Sequence, residues 1–108
     1  MTTYLRITTT TSGREEADRI AADLVSRRLA ACVQISGPIT SAYRWEGVLE
    51  TAVEWLCVIK TVGEKYAEVE AAIRELHSYQ VPEIVATEIV AGSAEYLEWV
   101  SANTAPGD

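Results

Sequence analysis

Basic residues are scarce in this chain: nine Lys and Arg stand against sixteen Asp and Glu, a formal net charge of −7. A field of that sign repels phosphate backbones and anionic lipid heads unless a basic patch is concentrated somewhere. The longest basic run is Arg27-Arg28, which the pattern places in the last turn of a helix, where cations complement the macrodipole. Nucleic-acid and membrane partners are not expected. No stretch approaches the eighteen or so apolar residues of a spanning helix, and Met1–Arg6 carries no apolar core behind a basic segment, so a cytoplasmic location is expected. Histidine occurs once and cysteine twice. Cys32 and Cys57 form no C-x-x-C, and His77 has no second His at finger spacing, so neither a disulfide framework nor a structural zinc site is suggested. There is also no G-x-S-x-G, no phosphate-binding glycine loop and no H-E-x-x-H, and the expectation is that the chain is not an enzyme.

What is present reads as a single domain over residues 1–108. Tyr4 to Thr10 alternates as a strand, with Leu5, Ile7 and Thr9 on one face. Ser12-Gly13-Arg14-Glu15 has the form of a capping box, and Ala17, Ile20, Ala21, Leu24 and Val25 repeat at helical spacing to about Leu29. Cys32 to Trp45 reads as one long strand bent at Gly37-Pro38, and Glu46-Gly47 turns it into a second, Val48 to Val62. A two-residue turn makes paired positions sum to 93, which sets Cys57 opposite Ser36 and Cys32 opposite Thr61. A second capping pattern at Thr61–Glu64 opens a helix that ends near His77. Glu83 to Val90 follows as a strand, then Gly92-Ser93 as a cap, a short helix around Tyr96–Val100 and a frayed tail from Asn103 to Asp108. The order β-α-β-β-α-β-α is the split βαβ arrangement of an α+β, ferredoxin-like fold, an antiparallel sheet with two helices on one face. An uncovered apolar sheet face calls for a partner surface, most economically a second copy of the chain.

Leu29–Val33, Ser41–Gly47, Ile59-Lys60-Thr61, His77–Ile84 and Tyr96–Trp99 together resemble the CutA divalent-cation tolerance family, over nearly the whole chain from Leu5 to Trp99. The resemblance implies a PII-like subunit that forms a tight homotrimer through its long hairpin, in a cytoplasmic protein associated with metal tolerance and copper binding. Family members with proposed copper ligands carry a Cys late in strand one and a His-His pair ending helix two. Thr9 and Leu76 stand at two of those three positions here, and His77 remains. A metal site would then draw on His77, joined by Cys32, Glu83 or Glu88 only where a trimer brings them from a neighbouring subunit to one ion, and copper binding is expected to be weaker than in relatives with the full set.

A second candidate constellation is Tyr43, Trp45, Lys60, Tyr79 and Glu83, which the PII-like resemblance places at intersubunit clefts. Lys60 interrupts an apolar strand and needs a carboxylate such as Glu83 or Glu88, or an anionic ligand. Trp55 and Trp99 read as packing residues. Three functions follow: a trimeric metal-response protein binding copper, another divalent cation or a small ligand at its clefts; a PII-like sensor of a small anionic metabolite; or a structural trimer that holds a partner protein.

Overall fold

Alternation of Leu5, Ile7 and Thr9 produces β1, Tyr4–Thr11, the strand on which the rest is assembled. The computed structural model describes residues 1–106. α1 spans Arg14–Ser26, β2 Cys32–Trp45, β3 Val48–Val62, α2 Tyr66–Leu76 after one 3-10 turn at Gly63–Lys65, β4 Val85–Glu88 and α3 Ala94–Thr104. The strands form one antiparallel sheet in the order β2-β3-β1-β4. This is the expected ferredoxin-like α+β arrangement.

α1 and α2 cover one face, where Ile7, Ile20, Leu24, Ile59, Val69 and Ile73 are all fully buried. Burying side chains of this size contributes about 1.5 to 3 kcal/mol each, which makes this end the centre of stability. The opposite face is not bare. α3 packs there, with Val100 against Ala31, Val62 and Tyr4, and the Tyr4 hydroxyl meets Ser101 Oγ at 2.7 Å. Two helices on one face therefore understate the cover, because the third lies across the other face.

Several local expectations are corrected. The N-cap of α1 is Gly13 rather than Ser12, without a side-chain cap, and Thr11 Oγ1 donates to the Gly13 carbonyl. Thr61 does not cap the following helix, because its hydroxyl donates to the Leu29 carbonyl at 2.6 Å. α1 stops at Ser26, short of Leu29, as the chain turns through a positive φ at Arg28. Arg28 thus leaves α1 and donates to the carbonyls of Ala102 and Ala105, closing the C-terminus of α3. That contact, with Thr104 buried, keeps Asn103 and Thr104 helical where fraying was expected. Gly107 and Asp108, the rest of the expected tail, lie outside the described residues. Ser93 does cap α3, accepting from Tyr96 N–H. β4 is shorter than Glu83–Val90, since four residues pair with β1. Trp99 is exposed and stacks on Tyr96 instead of packing inside.

The hairpin register sums to 93 from Ile39 to Trp45 and to 92 from Cys32 to Ser36, the shift falling at the bulge around Gly37-Pro38. A one-residue slip exchanges the faces of a strand. Cys32 accordingly pairs with Lys60 rather than Thr61, and Cys57 with Ile35 rather than Ser36. The two thiols then point to opposite faces of the sheet, Cys32 toward α3 and Cys57 into the helix-covered core. Gly37 is fixed by sterics as well, because a Cβ there would lie 2.8 Å from Trp55 Cδ1.

Candidate functional site

The connection from α2 to β4 crosses the end of β1 and is held there by side chains from three elements. Tyr79 N–H donates to His77 Nδ1 at 3.1 Å, which leaves the ring proton on Nε2, and Nε2 meets the Thr10 carbonyl at 2.7 Å. Glu16, buried in the first turn of α1, accepts from both the N–H and the hydroxyl of Ser78. Thr8 Oγ1 donates to Glu83 Oε2 at 3.3 Å. Tyr79 then extends toward β3, where its hydroxyl donates to Glu54 Oε2 at 2.8 Å. The Tyr79 hydroxyl is held well above its ordinary range, first by burial and then by the hydrogen bond and charge of Glu54.

This clamped connection roofs a cleft of about 700 Å³ on the outer face of the hairpin, lined by Tyr43, Trp45, Glu54, Tyr79, Gln80 and Glu83 among others. The register explains the grouping. Beyond the bulge, Ile39, Ser41, Tyr43 and Trp45 share a face with Glu54, and Glu54 lies past the last β1 residue, Thr11, which pairs with Trp55. β1 has ended there, so the segment after α2 fills part of the space and leaves the rest open.

Four of the five residues expected at a cleft, Tyr43, Trp45, Tyr79 and Glu83, meet within one chain. Lys60 does not join them. Its Nζ donates to Gln34 Oε1 at 2.9 Å, in place of the pairing with Glu83 or Glu88, and it sits six β3 positions from Glu54, about 20 Å along a strand. Cys32 stands opposite Lys60, its sulfur 3.5 Å from the Tyr96 hydroxyl, which is pushed up to about 12 by that contact and then by burial. His77, Cys32 and Glu83 are thus not gathered into one metal site within the chain. Among the described residues no group of three or more His, Cys, Asp or Glu side chains is placed to hold a metal ion. His77 has moreover committed both ring nitrogens to the backbone, and with them the lone pair that a metal would take. Thr9 is fully buried on the helix face opposite Cys57, and Leu76 packs against the same core. Burial lifts the Cys57 thiol from its ordinary 9.0 to about 11.

Sequence reasoning missed Glu54 and Glu16. Glu54 had a visible signal, an acid between Val53 and Trp55 in an apolar strand; Glu16 had none, since an acid in a first helical turn is ordinary.

Comparison with known proteins agrees with the architecture. Residues 5–103 match the family model of the CutA1 divalent ion tolerance protein. The divalent-cation tolerance protein CutA of Thermus thermophilus is 43% identical over 95 residues, covering 88% of this chain and 92% of its own length. The solved structure of the periplasmic divalent cation tolerance protein CutA from Archaeoglobus fulgidus superposes with a TM-score of 0.91 at 42% identity, covering 94% of this chain and 98% of the other. CutA1 from Oryza sativa gives a TM-score of 0.93 at 34% identity, covering 97% and 96%. With the fold, the matched length and these identities in agreement, this chain belongs to the CutA1 divalent ion tolerance family.

Proposed function

We propose that this chain works as a cytoplasmic, non-enzymatic homotrimer that takes a small ligand in the cleft under His77–Glu83, as part of a divalent-cation tolerance function. The observation that carries the trimer is the far half of the hairpin. Val48, Leu49 and Val53 are 56 to 70% exposed in the single chain, on an arm that stretches the molecule to 45 × 27 × 22 Å. Large apolar side chains in that number, on an arm without helical cover, favour burial against other copies. The cleft lies on the same arm, so association and ligand binding would use adjoining surfaces. A small anion is the less favoured occupant, because the cleft lining carries Glu54 and Glu83 and no Lys or Arg. Copper held by His77 is disfavoured by the hydrogen bonds at both of its nitrogens.

Sedimentation in dilute buffer tests the assembly: a trimer is expected, with Leu49→Glu and Val53→Glu together shifting it to monomer. A single-chain species persisting at high micromolar concentration refutes it. Copper titration under chelator-buffered, reducing conditions tests the metal reading. Weak binding that changes little in His77→Ala is expected, and tight stoichiometric binding abolished by that substitution would return the site to His77.

A further inference from the structure

Of the two buried carboxylates among the described residues, Glu54 has the fewer hydrogen-bond donors, since Glu16 accepts from both the N–H and the hydroxyl of Ser78. Glu54 is 6% exposed, its one hydrogen bond among the described residues is from the neutral hydroxyl of Tyr79 to Oε2, and none of the ion pairs among those residues includes it. A carboxylate taken out of water with one neutral donor is undercompensated, since burial strips its hydration and a hydroxyl returns part of that stabilisation. The remaining oxygen belongs to a side chain that lines the cleft, and a second carboxylate, Glu83, lines the same space. Around them stand the rings of Tyr43, Trp45 and Tyr79. A cleft lined by two carboxylates and three aromatic rings suits a positively charged group with an apolar body, whose charge is attracted both by the acids and by the negative faces of the rings.

We propose that the cleft binds an organic cation, an alkyl or aryl ammonium group directed at Glu54 and enclosed by Tyr43, Trp45 and Tyr79. This deepens the ligand-cleft reading above and rests on it. A hard divalent ion is a poorer occupant, because calcium takes six to eight oxygen ligands and magnesium six, and among the described residues no third His, Cys, Asp or Glu side chain is gathered to the two carboxylates. Tyr79 has a positioning role. Its backbone is fixed through His77 to β1, and its hydroxyl occupies Oε2, orienting the carboxylate so that the other oxygen is left for the cation.

The test is a chemical-shift titration of the isotope-labelled assembled protein with three probes of one shape class: benzyltrimethylammonium, benzyl alcohol and benzenesulfonate. The cation is expected to bind roughly tenfold or more tighter than the alcohol, with the sulfonate weakest, and to move the signals of Trp45, Tyr79 and Glu54. Glu54→Gln, which keeps an acceptor for Tyr79, should weaken cation binding by roughly tenfold while leaving the alcohol unchanged. Glu83→Gln, at an exposed position, should weaken the cation by a smaller factor. The three-probe ranking on the unaltered protein needs no variant to fold. Equal or tighter binding of alcohol or sulfonate at the same residues overturns the cation assignment and leaves the ligand cleft standing. Unchanged cation affinity in Glu54→Gln likewise overturns the assignment. No response at these residues to any of the three probes overturns the cation and the cleft together.

Discussion

The two ends of the β2–β3 hairpin are made of similar residues and have opposite surroundings. Near the open end, Cys57, Ile59 and Thr61 are fully buried beneath α1 and α2, and Val62 is covered by α3 from the other side. Toward the turn, Val48, Leu49 and Val53 continue the apolar run in β3 with more than half of each surface in water. Hydrogen bonding does not separate the two halves, because the ladder continues from Cys32-Lys60 to Trp45-Val48. What differs is cover. Strand formation needs a partner strand, whereas stability needs something packed on the face, and one chain supplies that to half of its longest element.

Substitution can break the comparison directly. Ile59→Ala, in the covered half, should cost about 3 to 4 kcal/mol, since the cavity is enclosed by residues from both helices and cannot collapse freely. Leu49→Ala, in the arm, should cost no more than about 0.5 kcal/mol in a monomer, where its surface is wet in both states. Chemical denaturation of each variant, repeated over a wide range of protein concentration, measures both numbers. A concentration-dependent loss for Leu49→Ala, absent in Ile59→Ala, would identify the arm as the surface covered by association. Equal losses at all concentrations would show that the arm is already packed within the chain.

The covered half was also the legible half. Period-two alternation in β1 and the helical stripes through Ile20, Leu24, Val69 and Ile73 specify which residues face inward, because burial there is decided within each element. Expectations failed where a contact joins distant segments. The bulge moved Cys32 to the α3 face, and no local pattern says which side of Gly37-Pro38 absorbs the extra residue. Arg28 suited an α1 dipole equally well and instead closes α3. At the site, Tyr43, Trp45, Tyr79 and Glu83 were grouped through the PII-like resemblance, and the link from His77 through Tyr79 to Glu54 spans three elements and depends on where β1 ends. A lone His closing a helix suits a ligand or a partner of the helix dipole, and here both of its nitrogens are occupied by the backbone.

Alkaline pH sharpens the contrast between core and cleft. Cys57 lies in the first and Tyr79 in the second, and both are protonated more tightly in the folded chain than in the unfolded one. A raised folded value means that stability is fully present below the unfolded value and falls as pH rises through the folded one. The core contribution should therefore begin to fade above about pH 9 and be lost by about pH 11, as Cys57 passes from 9.0 to about 11. Tyr79 should add a further decline beginning near its ordinary value of 10.0. Tyr79→Phe should shrink that second phase, to which Tyr66 and Tyr96 also contribute, and leave the first, as followed by thermal melts at stepped pH. A profile unchanged by Tyr79→Phe would show that its hydroxyl is not held by Glu54.

A difference in hydrogen bonding separates two threonines on one face. Thr61 and Thr9 are both fully buried on the helix side of the sheet, yet Thr61 donates to the Leu29 carbonyl while Thr9 Oγ1 has no hydrogen-bond partner among the described residues. A buried hydroxyl without a partner has given up its water for nothing in return, and replacing it by a methyl group of the same shape removes that cost. Thr9→Val should therefore stabilise the protein by about 1 kcal/mol, whereas Thr61→Val should destabilise it by about 1 to 2 kcal/mol, because the Leu29 carbonyl is left without its donor. Valine suits a β-strand at either position, so intrinsic propensity does not account for opposite signs. Urea midpoints at constant m-value measure both changes on one scale. Loss of stability in Thr9→Val would mean that the hydroxyl does find a partner beside Cys57, and that this position holds a polar contact inside the core.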